Sequence, residues 1–173
     1  MKKILFLLAL LLLPLGVAEA QKIALVDMEY ILKKDPSYAV MNRQIEDLSK
    51  KWQAEVAGYE KKAEQAYQSY QSEAALLSAQ QKKQREESIV ALEKQAYELK
   101  RKYFGPEGEL FKKRTSLITP IQDEIYNAVK DISDQRGYSL VIDRSSNAAG
   151  IIYGSPKVDI SNEVLQKLGY SYQ

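Results

Sequence analysis

The sequence of 173 residues contains no cysteine and no histidine. Without cysteine the chain cannot form a disulfide, bind a metal through thiolates or use a thiol as a nucleophile. Without histidine it lacks the most common general base and the most common zinc ligand. The sequence also has no phosphate-binding loop, serine-hydrolase or zinc-protease motif. We therefore expect no catalytic residues, no metal site and no cofactor, and we predict that the protein is not an enzyme.

Net charge and one pair of carboxylates bear on two further functions, nucleic-acid binding and acid–base catalysis. Lysine and arginine number 25 and aspartate and glutamate 23, so the formal charge of +2 gives no bias toward nucleic acid, and we expect no nucleic-acid partner. Asp27 and Asp143 each follow a predicted strand and could meet in space, as acid–base pairs do. No pocket-forming sequence surrounds them, which favours a structural role.

The first twenty residues have the pattern of a secretory signal peptide. Lys2 and Lys3 precede an apolar run at 4–13, and the small-residue site Ala18-Glu19-Ala20 follows a helix break. The run is too short for a membrane-spanning helix, which needs about 20 residues. We predict that residues 1–20 are removed after Ala20 and that the mature chain, 21–173, is exported.

Scarce glycine (8) and proline (5) favour long helices, and two apolar stripes with helical spacing indicate where these lie. Ser78 and Gln81 between the stripes have the spacing of a capping box. We predict an antiparallel helical-hairpin arm at 41–134 with its tip near 77–78. The first stripe comprises Met41, Ile45, Leu48, Trp52, Val56, Tyr59, Ala63, Ala66, Tyr70, Ala74 and Leu77, and the second Ile89, Leu92, Ala96, Leu99, Tyr103, Leu110, Leu117, Ile121, Ile125 and Ile132.

The stripes also predict a register for the hairpin. Facing positions of an antiparallel pair have residue numbers with a constant sum, and many pairs of stripe residues share one value. We therefore expect three pairs to face one another: Trp52 with Tyr103, Val56 with Leu99, and Ala63 with Leu92.

The returning side of the arm is interrupted at Phe104-Gly105-Pro106-Glu107-Gly108. A proline flanked by glycines is unfavourable in a helix interior. We interpret Gly105, Pro106 and Gly108 as a hinge near the base of the arm, and a fixed kink that steers the helix past Trp52 remains the alternative.

The two ends of the chain predict a small β body. Residues 21–40 contain a strand at 23–26 and a short helix, and residues 135–173 contain a β-hairpin, 140–142 with 151–153, and a helix starting at Ser161. The fold class is α+β, a long helical-hairpin arm on a small three-stranded β element. Three short strands make a poor sheet, so we expect copies of the chain to associate and close a barrel.

Several segments of the mature chain resemble, in order, the Skp/OmpH-like periplasmic chaperone family. The resemblance is carried by Lys22-Ile23-Ala24-Leu25-Val26-Asp27-Met28-Glu29-Tyr30-Ile31-Leu32, Gly137-Tyr138-Ser139-Leu140-Val141-Ile142-Asp143, Ile151-Ile152-Tyr153 and Val158-Asp159-Ile160-Ser161-Asn162-Glu163-Val164-Leu165. It implies a homotrimer with a central barrel and three hanging arms. It also implies a holdase that works without ATP in the periplasm and binds unfolded outer-membrane β-barrel proteins between its arms.

The charge of this chain departs from the family, whose members are often strongly basic. The mature chain is nearly neutral, and its basic excess is confined to 80–114, which hold ten Lys/Arg and six Asp/Glu. Six of those ten form two clusters that are candidate client or anion sites, although such runs are more often solvated helix faces. The clusters are Lys100, Arg101 and Lys102, and Lys112, Lys113 and Arg114.

Four apolar side chains are candidate client contacts. Tyr67 and Tyr97 lie off the stripes, where tyrosine offers both apolar area and a hydroxyl. Leu76 and Leu77 lie at the tip, where they either contact a client or a membrane surface or simply close the turn.

Two functions fit these features, a holdase for unfolded outer-membrane proteins and a structural coiled-coil scaffold or spacer of the cell envelope. A scaffold favours uninterrupted heptads, whereas a holdase favours a flexible, mildly apolar surface. The interruption at 105–108 and the Ala/Tyr-rich stripe favour the holdase.

Overall fold

The computed structural model describes residues 21–170, so the predicted signal peptide at 1–20 lies outside the described residues. The fold is mostly helical with one small sheet, as predicted for the α+β class. Two 3-10 turns, Asn147–Ala149 and Pro156–Val158, lie between the last strand and the last helix. The elements follow in the order β1 (Lys22–Val26), α1 (Met28–Lys34), α2 (Pro36–Glu73), α3 (Ala79–Phe104), α4 (Glu109–Arg136), β2 (Tyr138–Asp143) and α5 (Ser161–Lys167).

The sheet has two strands within the described residues, so the predicted three-stranded element is wrong for the single chain. β1 and β2 pair in parallel, with Ile23 opposite Leu140. The other edge of β1 makes an isolated bridge from Leu25 to Asp159, and the Ile160 N–H donates to the Leu25 carbonyl at 2.9 Å. With both edges of β1 occupied, this strand offers no place for 151–153.

The predicted β-hairpin after 140 is also wrong. Asp143 ends β2 and accepts hydrogen bonds from the backbone N–H and the hydroxyl of Ser145, at 2.9 and 2.6 Å, which fixes a turn out of the sheet. The chain then passes through the two 3-10 turns, and Ile151-Ile152-Tyr153 forms no strand. Ile152 is fully exposed.

The body is built around one apolar core in which both strands, the base of the arm and α5 meet. Because Met41 and Ile45 of α2 and four residues of α4 belong to this core, the predicted body–arm boundary at 41 falls inside a helix that is anchored in the body. The buried cluster comprises Ala24, Val26, Ile31, Met41, Ile45, Ile121, Ile125, Ala128, Ile132, Ile160, Val164 and Leu165.

Asp35 joins the body to the arm. Its backbone N–H donates to the carbonyls of Ile31 and Leu32 at the end of α1, and its carboxylate accepts from the Ser37 N–H at 2.7 Å at the start of α2. Pro36 occupies the first turn of α2, where its missing N–H costs nothing. Asp35 is buried. Burial of the Tyr170 side chain and, after it, the negative charge of Asp35 raise the pKa of Tyr170. The arm helix therefore starts at Pro36, five positions before the first stripe residue.

Both predicted stripes face inward. Every position of the two stripes is buried or half-buried, although most of the arm surface is exposed. α2 has 38 residues and is therefore about 57 Å long. Such a helix cannot bury its stripe on the small body, so α3 and α4 supply the partner surface along its length.

The tip forms where the capping signal predicts. α2 ends at Glu73, and Ser78 caps α3 by accepting from the Gln81 N–H, while the Gln81 side chain accepts from the Ser78 N–H at 2.9 Å. This reciprocal pair satisfies two backbone groups at the start of α3.

The interruption at 105–108 is a complete break between α3 and α4, a stronger departure than a kink. Gly105 adopts an extended conformation, as the residue before a proline usually does. The Gly108 N–H donates to the Gly105 carbonyl at 2.9 Å, which closes a tight turn. A β-carbon on Gly105 would lie 2.4 Å from the Arg101 carbonyl oxygen, and one on Gly108 would lie within 2.9 Å of three backbone atoms. Both glycines are required by close backbone approach.

None of the helices in the described residues is long and apolar enough to cross a membrane.

We expect Gly58→Ala and Gly108→Ala to change stability in opposite directions. Gly58 lies inside α2, and an added β-carbon meets nothing within 4 Å, so alanine should stabilise by about 0.5–1 kcal/mol. Gly108→Ala forces the turn apart and should destabilise by about 1–3 kcal/mol. Urea unfolding at one protein concentration measures both. A Gly108→Ala variant as stable as the wild type would show that the turn is not held in this conformation.

Replacing Gly105, Pro106 and Gly108 together by alanine should raise thermal stability, in contrast to Gly108→Ala alone. Without the proline the turn can become helical and join α3 and α4 into one helix, in which the glycines are no longer needed. Helical circular dichroism should rise with it. Lower stability and unchanged helicity would contradict this expectation.

Candidate functional site

A series of aromatic contacts and hydrogen bonds links α2 to α3 beside the break between α3 and α4. Trp52 and Tyr103 stack with ring centroids 4.7 Å apart and an interplanar angle of 1°, which confirms this predicted pair. The Tyr103 hydroxyl donates to Glu55 at 3.0 Å, and the Phe104 ring meets Tyr103 edge-on. Nearer the tip, the Tyr70 hydroxyl donates to Glu86 at 2.5 Å. These contacts hold the two sides of the arm in a single register.

One flank of the arm carries a groove between α2 and α3, which we call the flank groove. It consists of two cavities of about 500 and 300 Å³ that share Glu60 and Lys100. Small residues of the stripes, Ala63 and Ala96, line the larger cavity. Because alanine fills little of the space between the helices, the seam leaves this groove open. The two cavities are lined by Gln53, Val56, Glu60, Ala63, Glu64, Tyr67, Glu93, Ala96, Tyr97, Lys100 and Phe104.

The structure brings the two predicted contact tyrosines together. Tyr67 on α2 and Tyr97 on α3 line the same cavity, and their exposed fractions are 46% and 66%. Tyr67 also accepts a hydrogen bond from Gln71 at 2.9 Å, which orients its hydroxyl. Each tyrosine is held on a rigid helix, so the pair forms a fixed surface beside the groove.

Further apolar side chains, not among the predicted client contacts, are exposed on this part of the arm. Val90 and Phe111 are more than half exposed, and Phe104 lines both the flank groove and a small adjoining cavity with Phe111. Together with Tyr97 these residues recur every seven positions on α3 and α4, directly after stripe positions. This seven-residue spacing is visible in the sequence and would have identified these residues.

The tip leucines differ in exposure. Leu76 is 87% exposed, whereas Leu77 is half-buried. The turn that carries them is short, and the Leu76 N–H donates to the Glu73 carbonyl at 2.8 Å. Leu77 is half-buried at a stripe position, whereas Leu76 presents its side chain to the outside.

The side chains of the two basic clusters are exposed, but the residues of one cluster do not all lie on the same surface of the arm. Lys100 lines the flank groove, whereas Arg101, Lys102 and Lys112 line a separate cleft at the break. Lys102 lies over the Tyr103 ring at 5.4 Å, and Lys112 pairs with Glu109 at 3.3 Å. Within the described residues the other four, Lys100, Arg101, Lys113 and Arg114, make no salt bridge.

The cleft at the break has a volume of about 640 Å³. Gly105, Pro106 and Gly108 form part of its wall, together with Glu98 and Glu107. Acidic and basic side chains are therefore mixed in this cleft, and its surface has no strong excess of either charge.

The carboxylates of Asp27 and Asp143, which were considered for acid–base chemistry, accept hydrogen bonds from backbone N–H groups instead. Asp27 accepts from the Tyr30 N–H at 2.8 Å and caps α1. Asp143 accepts from the Met28 N–H at 3.2 Å in addition to its turn contacts with Ser145. Arg144 bridges Asp27 and Asp159, at 3.4 and 3.1 Å. No group of side chains in the described part of the chain is suited to hold a metal ion.

A second apolar surface lies on the body. Ile23 and Leu140 are paired across the sheet and are both about half exposed, and Tyr153 projects from the following loop with most of its surface exposed. The outer edge of β2 has no strand beside it in the described residues. A single chain therefore exposes both a sheet edge and an apolar sheet face.

Similarity to known proteins covers body and arm together. Residues 22–168 match the model of a family described as "Outer membrane protein (OmpH-like)". The chain is 25% identical over 152 residues to the chaperone protein Skp of Yersinia enterocolitica, which covers 87% of each chain. It is 25% identical over 153 residues to the chaperone protein Skp of Pectobacterium atrosepticum, covering 88% of each. Its fold is similar to the crystal structure of an OmpH-like outer membrane chaperone from Caulobacter crescentus, with a TM-score of 0.70 at 10% identity, over 86% of this chain and 84% of that chain.

The cross-arm hydrogen bonds predict a loss of stability at high pH. Hydrogen bonds to Glu86 and Glu55 raise the pKa of Tyr70 and Tyr103 above their usual value near 10. Since the folded-state pKa exceeds the unfolded one, this stabilisation is complete below pH 10 or so and is lost as pH rises through the folded-state pKa.

We expect the Tyr70→Phe/Tyr103→Phe variant to lose less stability than the wild type between pH 9 and about 11.5. Thermal unfolding at a series of pH values measures this difference. Tyr126→Phe is the matched control, because the Tyr126 hydroxyl makes no hydrogen bond within the described residues and its curve should follow the wild type. Parallel curves for all three proteins would show that these hydrogen bonds carry no pH dependence.

Proposed function

Because this chain belongs to the family of OmpH-like outer membrane proteins, whose model matches nearly the whole described chain, we propose that it is a periplasmic holdase chaperone. It binds unfolded outer-membrane β-barrel proteins and prevents their aggregation on the way to the outer membrane. It works without ATP, cofactor or metal and catalyses no reaction. The names of its relatives, chaperone protein Skp in two bacteria, support this proposal.

The observation that carries the proposal is the arm itself. It is a long helical hairpin whose helices bury only a narrow seam, and it exposes Tyr67, Tyr97, Val90 and Phe111 on rigid backbone. A structural spacer has no need of exposed aromatic residues beside an open groove, and such patches on a soluble surface mark binding sites. We therefore favour the holdase over the coiled-coil scaffold.

Binding between arms requires more than one chain, and we propose a homotrimer. The exposed pair Ile23 and Leu140 and the open edge of β2 support association through the body. Strand edges and apolar faces of this kind are normally covered by pairing with another chain. Closure of the sheets of three copies into a barrel would leave three arms free to enclose a client.

Export and flexibility complete the proposal. The predicted cleavage after Ala20 would deliver the mature chain to the periplasm, where a protein without cysteine gains no stability from disulfides and depends on its core or on association of copies. The break at 105–108 serves as the hinge that lets arms spread around clients of different size. Leu76 at the tip is available to touch a client or the membrane surface, and the exposed lysines and arginines of the clusters attract acidic client segments.

The proposed function is tested by diluting a denatured outer-membrane β-barrel protein into buffer that contains the mature protein and no nucleotide. We expect aggregation, followed by light scattering, to be suppressed at one trimer per client. Tyr67→Ala/Tyr97→Ala/Phe111→Ala should suppress it less, and Tyr126→Ala, which removes an exposed tyrosine from the body end of α4, should act like the wild type. Unchanged aggregation with wild-type protein would favour the scaffold.

The trimer is tested by multi-angle light scattering of the mature chain, with an expected mass three times that of the monomer. Leu140→Glu places a charge on the exposed sheet face without disturbing the core of the chain, so it should shift the mass toward the monomer. Leu76→Glu, a matched change at the tip, should leave the mass unchanged. A folded wild-type monomer would contradict the proposal.

A further inference from the structure

The flank groove is long enough to take a short extended peptide. Its lining on α2 runs from Gln53 to Tyr67, fourteen positions further along the helix, which corresponds to about 21 Å. An extended chain rises about 3.3 Å per residue, so six residues fill this length. The floor is apolar, formed by Val56, Ala63 and Ala96, and can receive the apolar side chains of one face of a strand.

The rim of the groove is acidic. Glu60, Glu64 and Glu93 line it, and the lining contains one basic residue, Lys100. Within the described residues none of these three carboxylates forms a salt bridge, and the hydrogen-bond partner of Glu64 is the neutral amide of Gln68, at 2.7 Å. Other glutamates of the arm have lysine partners in the same helix, as Glu46 and Glu98 do. The rim thus holds an excess of negative charge beside two exposed tyrosines.

We propose that the flank groove binds extended client segments in which aromatic or aliphatic residues alternate with lysine or arginine. The apolar face of such a segment lies on the alanine floor and against Tyr67 and Tyr97. Its basic side chains reach Glu60, Glu64 and Glu93 on the rim, where charge complementarity selects them over acidic ones. The proposal rests on the holdase function and names the part of a client that this site prefers.

The choice of occupant follows from the distribution of charge on the arm. Residues 80–114 have a net basic excess, which by itself favours acidic clients. The groove has the opposite charge balance, because Arg101 and Lys102 line the separate cleft at the break. Alternation of apolar and polar residues is also the pattern of a strand from a membrane β-barrel, so suitable segments occur in the proposed clients.

The experiment compares two fluorescent eight-residue peptides that share alternating tyrosine and leucine residues and differ in their polar positions. One carries lysine there and the other glutamate. Fluorescence anisotropy with the full mature protein should show that the lysine peptide binds at least about fivefold more tightly, because several exposed charge pairs act together. High salt should reduce this preference.

Two matched triple variants decide where the preference arises. Glu60→Gln/Glu64→Gln/Glu93→Gln should abolish the preference for the lysine peptide, and it should bind the glutamate peptide at least as tightly as the wild type does. Glu46→Gln/Glu87→Gln/Glu98→Gln makes the same change in net charge outside the groove and should retain it. Tyr97→Ala should weaken both peptides. All these side chains are exposed, so the variants should fold, and their thermal unfolding checks this.

Equal binding of the two peptides to the wild type would overturn the proposal, as would loss of the preference in the second triple variant, since either result assigns no selectivity to the groove. The holdase function is judged separately. If the wild type suppresses aggregation of a denatured β-barrel protein but shows no peptide preference, the groove proposal alone is wrong. If aggregation is not suppressed, the proposed function is wrong whatever the peptides do.

Discussion

The arm depends on one narrow seam of apolar and small side chains between α2 and the two helices that return along it. α2 is about 57 Å long and the body is small, so no other surface can bury its stripe. The Trp52–Tyr103 stack and the bond from Tyr103 to Glu55 fix the register of the seam beside the break. Body and arm are continuous, because the base of the same stripe enters the core through Met41 and Ile45.

The composition of the seam explains why the arm has an open groove along its flank. Alanine at 63 and 96 keeps the stripe apolar but leaves space between the helices, and the flank groove occupies that space. A seam filled by leucine throughout would be more stable and would leave less of a groove. The exposed tyrosines beside it, Tyr67 and Tyr97, lie off the stripes, which is why we connect them with client binding.

Periodic features of this fold could be predicted from the sequence. The two stripes, the capping box at Ser78 and the Trp52–Tyr103 pair follow from spacing alone, because a helix repeats every 3.6 residues and two facing helices must share a register. The early start of α2 had a readable signal as well, since Asp35 and Pro36 form a capping residue and a first-turn proline.

Pairing of short segments could not be predicted in this way. Three apolar residues at 151–153 have the composition of a strand, but composition does not say which edge is free. Both edges of β1 are occupied, by β2 and by the bridge to Asp159. The groove could not be predicted from the sequence for a similar reason. Tyr67 and Tyr97 could each be identified as lying off the stripe, but their meeting in one cavity depends on how closely the helices approach.

We propose that clients are held against the flank of the arm. Site-specific photo-cross-linking tests it most directly, with a photoreactive phenylalanine analogue at position 97 in the groove or at position 130 on the exposed side of α4 in the body. We expect an unfolded outer-membrane protein to cross-link efficiently from position 97 and weakly from position 130. Equal cross-linking from both positions, or none from 97 in a protein that still prevents aggregation, would contradict it.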